Sequence, residues 1–299
     1  MPLAVFPKCF LKQLCKTGEM TVDQWLDIAA NLDVDGYEFY WGFTPWQEPA
    51  KLEAIRKRVE AQGRSIPMMC YSPDYTSPDL SERKAEVAKQ KEAIKATALL
   101  GGSYCRVLSG QRRPEVAIET GLKWVAECIH ELLPFAEEHN VTLILENHYK
   151  DDFWSYPEFA QKMDVFLALL EAIGKHPNFG VNYDPSNAIV AGENPITLLK
   201  HVLAHVVTMH ASDRFLEGGT LEDLMDSDKY PQEGYASILQ HGIVGQGMND
   251  YDQIFTMLKE AGFAGWISIE DGQDPTVGFE HLDASAQFLR GMMAKYQLS

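Results

Sequence analysis

Cysteine is scarce and scattered. Cys9, Cys15, Cys70, Cys105 and Cys128 are five in number, and no two form a C-x-x-C pair. That pattern excludes a disulfide framework or a zinc knuckle as the organising device. It points to reduced thiols and a cytoplasmic setting. Basic side chains are also few: 26 Lys and Arg stand against 43 Asp and Glu, a net charge of −17. Nucleic acids and anionic membranes bind clustered cations, so neither is an expected partner. No stretch reaches the roughly 20 apolar residues of a membrane span. The opening MPLAVFPKCFLKQL is too short in its apolar run for a signal peptide. No Pro/Gly/Ser-rich linker or low-complexity segment breaks the 299 residues, and 45% are hydrophobic. One domain over 1–299 with a sizeable core is expected.

What the chain does have is alternation. Strand patterns fall at 3–7, 36–40, 65–72, 104–110, 141–146, 179–184, 205–210 and 266–270. Helical patterns lie between them. Thr21 caps the first, and others cover about 49–62, 81–100, 115–139 (bent or restarted near Pro134), 157–173, 195–201, 250–261 and 278–296. Eight such units in a chain of this length predict a parallel sheet closed into a single (β/α)8 TIM barrel. An open doubly wound sheet is the runner-up, but the first strand–helix turn lacks a Gly-rich dinucleotide fingerprint. The connection 211–249 is long, rich in Gly, Asp and Glu, and weak in periodicity. A loop of that length is expected to be a cover over the mouth.

Strands five to eight end alike, in Glu146, Asp184, His210 and Glu270. Their apolar neighbours, such as Leu145, Tyr183, Met209 and Ile269, take the opposite face. The four polar residues are therefore expected to point to the barrel axis at its C-terminal mouth, where barrel active sites are built. Three carboxylates aimed at one spot repel, and a divalent cation relieves them, with an imidazole as fellow ligand. Such a set suits Mn²⁺ or Mg²⁺ first, and Co²⁺ or Zn²⁺ also.

At this point the chain resembles the xylose-isomerase-like barrel superfamily of sugar isomerases, epimerases and dehydratases. The residues that carry the likeness are LENH (145–148), NYDPSNA (182–188), MHASDR (209–214), VGQGMNDYDQIF (244–255) and GWISIEDG (265–272). The resemblance implies one divalent metal on Glu146, Asp184, His210 and Glu270. It implies a small carbohydrate or keto-sugar substrate, with Glu146 and Glu270 moving the proton. Epimerases of the family often carry a substrate-binding His where this chain has Asn187. Lyases of the family that act on 3-keto-glycosides carry a His in the place of His148, which makes His148 a candidate base.

Removing a proton beside a metal-bound carbonyl gives an enediolate. Returning the proton gives an epimer or isomer, whereas expelling a leaving group gives a lyase or dehydratase. Candidate substrate contacts are Lys8, Trp41, Arg106, His148, Asn187, Arg214 and His241, with Lys150 in a mouth-side loop. Glu38 faces inward and is expected to hydrogen-bond a metal ligand. A DNA-repair endonuclease, a two-carboxylate glycosidase and a non-catalytic sugar- or partner-binding barrel are the competing readings. A homo-oligomer is compatible with all of them.

Overall fold

A computed structural model describes residues 1–224, 236–272 and 274–298, with backbone alone at 221 and 222. The strands are β1 (Leu3–Val5), β2 (Gly36–Tyr37 and Phe39–Tyr40, interrupted at Glu38), β3 (Met68–Cys70), β4 (Tyr104–Val107), β5 (Thr142–Glu146), β6 (Phe179–Tyr183), β7 (Val206–Ala211) and β8 (Trp266–Ile269). All pair in parallel. The first half of β2 pairs with β1 and the second half with β3, so the two edges of the sheet are one strand and the barrel closes. Closure removes the edge that an open sheet would have to protect. Strands covered on both faces need continuous burial, and FGVNY of β6 is buried throughout.

The helices are α1 (Val22–Ala29), α2 (Pro49–Ala61), α3 (Leu80–Leu99), α4 (Ile118–Glu138), α5 (Met163–Ile173), α6 (Pro185–Val190), α7 (Pro195–Val202), α8 (Tyr251–Glu260) and α9 (Gly278–Tyr296). Local chemistry sets their starts. Thr21 and Gln24 form a reciprocal capping box on α1, whose Trp25, Leu26 and Ala29 are buried. Asp79 caps α3 by accepting the Ser81 N–H at 2.7 Å. No helix among the described residues is long and apolar enough to cross a membrane.

One expectation needs correction, and three further features add to the reading. Pro157 does not open a helix; α5 starts at Met163. The backbone of 157–159 is instead bonded to the neighbouring loop, with Phe159 N–H on Gly110 O and Arg112 N–H on Pro157 O. These tertiary bonds outweigh the local helix signal. Helix α4 runs through Pro134 as one element rather than restarting. The turn after β6 is itself helical (α6), with Asp184 as N-cap and Pro185 as first residue. The connection 211–249 is not structureless. Arg214–Leu216 and Leu239–His241 pair as an antiparallel hairpin, with His241 opposite Arg214. Residues 225–235 of that connection lie outside the described residues.

Candidate functional site at the barrel mouth

The ends of β5 to β8 converge as the alternation requires. Glu146, Asp184, His210 and Glu270 are all buried, and one donor atom of each lies within 4.8 Å of the others. His210 Nδ1 lies 3.1 Å from Glu146 Oε1 and 2.9 Å from Glu270 Oε2. Its Nε2 lies 2.9 Å from Glu38 Oε1. Glu38 thus orients the imidazole from behind, the place expected for it. Cys70 Sγ donates to the same Glu38 oxygen at 2.7 Å.

Each glutamate offers one oxygen to this centre and the other to a cation. Arg106 holds Glu146 Oε2 at 2.7 Å and also reaches Ser72 Oγ at 2.9 Å. Lys8 holds Glu270 Oε1 at 2.8 Å. Asp184 is fixed by the start of α6: its Oδ1 accepts the Asn187 N–H at 3.1 Å and the Ser212 hydroxyl at 2.7 Å. Asn147, which the sequence reading did not single out, locks the strand ends together. Its amide donates to Asp184 O at 2.6 Å and accepts the Asp184 N–H at 2.9 Å.

The electrostatics follow from this crowding. Burial pushes the Glu146 carboxyl up, but His210 and Arg106 outweigh it and bring it down to about 2. Burial does the same at Glu270, where Lys8 and His210 hold the group well below the usual carboxylate range. Among the described residues Asp184 has no such Lys or Arg partner, and burial with the charges of Glu270 and Glu146 pushes it up to about 6. Burial disfavours imidazolium at His210, yet Glu38, Glu146 and Glu270 prevail and hold it well above the ordinary value. A divalent ion among three carboxylates would relieve the repulsion that raises Asp184.

Above the ring lies a cavity of about 370 Å³, lined among others by Lys8, Tyr40, Arg106, His148, Lys150, His241 and Glu270. Arg106, His148, His241 and Lys8 thus stand where substrate contacts were expected. His148 stacks on Tyr149 with ring centroids 5.1 Å apart, and its Nδ1 is 3.7 Å from Glu158 Oε2. His241, on the hairpin, meets Asp271 at 3.3 Å through Nδ1.

Three expected substrate contacts lie elsewhere. Trp41 is packed between Tyr40, Tyr71 and Phe153 at 5.3–5.9 Å between ring centroids, and it does not line the cavity. Asn187 does not line the cavity; it is buried and donates to Glu146 Oε1 at 3.2 Å, the oxygen that faces His210. Arg214 is buried, its guanidinium 5.4 Å from the centre of the Tyr149 ring. In each case an aromatic or polar residue near the mouth finds a protein partner first.

Asp213 and Asp271 were missed altogether. Asp213 accepts N–H bonds from Arg214, Gly245, Gly247 and Asn249 at 3.0–3.1 Å. Asp271 accepts the Asp213 N–H at 2.7 Å. Together they tie the hairpin and the 245–249 turn to the end of β8. The sequence signals were an Asp within three residues of an inward ligand, Asp213 after His210 and Asp271 after Glu270, and the G-x-G at 245–247.

The pattern of the xylose isomerase-like TIM barrel family matches residues 26–292. Inosose dehydratase of Bacillus thuringiensis (strain Al Hakam) is 20% identical over 256 residues, 81% of either chain. Among solved structures, a D-tagatose 3-epimerase-like protein superposes with a TM-score of 0.77 at 17% identity, over 99% of this chain and 98% of that one. The IOLI protein with a bound zinc atom superposes at 0.75 and 17% identity, over 99% of both. The structural likenesses repeat the closed barrel, and the family pattern spans the strands that carry the ring. The chain belongs to the xylose isomerase-like TIM-barrel family.

Proposed function

We propose that the chain is a divalent-metal-dependent enzyme that isomerises or epimerises a small hydroxy-carbonyl carbohydrate by proton transfer, with 1–299 working as one barrel domain. One observation carries this reading: Glu146 and Glu270 reach the same imidazole nitrogen from two strands, at 3.1 and 2.9 Å. The two carboxylates therefore flank one centre.

The donor set fits one divalent ion. Glu146, Asp184, His210 and Glu270 would hold it, with Mn²⁺ favoured by three oxygens and one nitrogen and Mg²⁺, Co²⁺ or Zn²⁺ acceptable. A structural relative holds zinc in the same fold. When bound, the ion would polarise the substrate carbonyl and stabilise an enediolate.

The chain's own residues do the rest. Glu270 touches the cavity and is kept ionised by Lys8, so it can take a proton from carbon. Glu146, anchored by Arg106, is the opposing carboxylate. Lys8, Arg106 and His241 line the space for hydroxyl and carbonyl oxygens. The hairpin of Arg214–Leu216 with Leu239–His241 would cover the mouth and exclude water.

A second reading, a lyase or dehydratase on a keto-sugar or inosose, has its own support. His148 lines the cavity whereas Glu146 and Asp184 do not, and a curated relative is an inosose dehydratase. A screen of Mn²⁺-loaded protein against ketoses, inososes and 3-keto-glycosides in D₂O separates the readings. Deuterium gained at one carbon, with the formula otherwise kept, is expected. Loss of water or an aglycone without an epimer would establish the lyase, and no turnover of any of them would overturn both.

A further inference from the structure

Glu158 belongs to no expected site, yet it is almost fully buried, at 1% exposure, beside the cavity. Its backbone is held on both sides: Glu158 N–H donates to Tyr149 O at 2.7 Å, and Phe159 N–H to Gly110 O at 2.7 Å. One carboxylate oxygen, Oε1, accepts the Ser109 N–H at 2.7 Å and also the Ser109 hydroxyl. The other, Oε2, faces His148 Nδ1 across 3.7 Å. Among the described residues neither of these two buried atoms has a hydrogen-bond partner. Two unpartnered polar atoms facing each other in a buried site are costly unless they pair. Hydrogen bonds of this kind are often long in the free enzyme and tighten with substrate.

We propose that Glu158 is a positioning residue for His148. It accepts the Nδ1–H, fixes that tautomer and so presents Nε2, with its lone pair, to the cavity. The stacking of His148 on Tyr149, at an interplanar angle of 22°, holds the ring in the plane this requires. A carboxylate that orients an imidazole in this way makes it a competent proton acceptor without itself taking the proton. The arrangement stands apart from the carboxylate ring. It gives the mouth a second proton acceptor, built on the loop after β5 and clamped by Ser109 after β4. The inference rests on the lyase reading, in which His148 takes the proton, for its consequence in turnover, but not for the tautomer.

Glu158→Gln tests it, because the amide oxygen can still accept from Ser109 while the amide nitrogen donates toward Nδ1 and favours the other tautomer. In ¹⁵N-histidine-labelled full-length protein without substrate, wild-type His148 should carry its proton on Nδ1. The variant should move it to Nε2, with the signal assigned by its loss in His148→Gln. Turnover should fall roughly 10²–10⁴-fold with KM, metal content and melting temperature near wild type. Wild-type His148 protonated on Nε2 alone would overturn the proposal, even if the variant failed to fold. Unchanged kcat in a variant whose tautomer had moved would overturn the catalytic part. The tautomer is read without turnover, so a missing carbohydrate substrate would sink the proposed function and leave the pairing standing.

Discussion

At the scale of single residues, the ring is a set of charges that solve one another's burial. His210 sits among Glu38, Glu146 and Glu270, and each glutamate of the ring has a cation on its far oxygen. Without a metal, Glu38, Glu146 and Glu270 outweigh burial and hold His210 well above its ordinary value, which favours the imidazolium. A histidine ligand must be neutral and an aspartate ligand ionised, so protons compete with the metal. Binding should release protons and strengthen as pH rises. Below about 6, where Asp184 takes up a proton as well, affinity should fall more steeply. Calorimetric titration with Mn²⁺ in buffers of different ionisation enthalpy measures this directly. A binding heat independent of the buffer would show that His210 is not deprotonated on binding.

The elements place these residues with more precision than the loops could. β5 and β6 are locked end to end by Asn147, and the first turn of α6 aims Asp184 and Asn187 at the ring. The hairpin is a different kind of element, held by the carboxylate of Asp213 through four backbone amides. Gly247 is required there because a Cβ would collide with that carboxylate and with the Arg214 carbonyl. Gly247→Ala should cost roughly 1–3 kcal/mol, the range for overpacking, read by urea unfolding. Because His241 rides on the hairpin, KM should rise more than kcat falls. A variant with wild-type stability and KM would mean that the turn does not hold the hairpin in place.

For the molecule as a whole, the barrel closes on three carboxylates and one imidazole whose donor atoms converge at its mouth. A bound divalent ion stabilises only the folded form. At a free concentration a thousandfold above Kd, that amounts to about 4 kcal/mol. Stripping the protein with chelator should lower the melting temperature, and Mn²⁺ should restore it. The chelated His210→Ala variant should show little recovery, since it lacks a ligand. Equal melting curves with and without metal would remove the ion from the folded structure. The net charge of −17 gives no guide to the mouth, where Lys8, Lys150 and Arg106 line the cavity.

Periodicity and strand endings belong to the sequence. Alternation along TLILE and FGVNY, the cap at Thr21 and the matching ends Glu146, Asp184, His210 and Glu270 are written in side-chain period and in contacts within a few residues along the chain. They were legible for that reason, and the closed barrel with its ring followed from them. The course of 157–162, the pairing of His241 with Arg214, and the retreat of Trp41, Asn187 and Arg214 from the cavity were not. Each depends on a partner far along the chain: Gly110 for Phe159, Asp271 for His241, Glu146 for Asn187, Phe153 for Trp41. Glu158 shows the limit most plainly. Its sequence neighbours offer a helix start after Pro157, but Ser109, Tyr149 and His148 surround it only once β4 and β5 lie side by side. Local hydrogen bonds and side-chain period settle which elements form; which polar atoms meet at the mouth is settled by closure of the sheet, which brings distant ends within bonding distance.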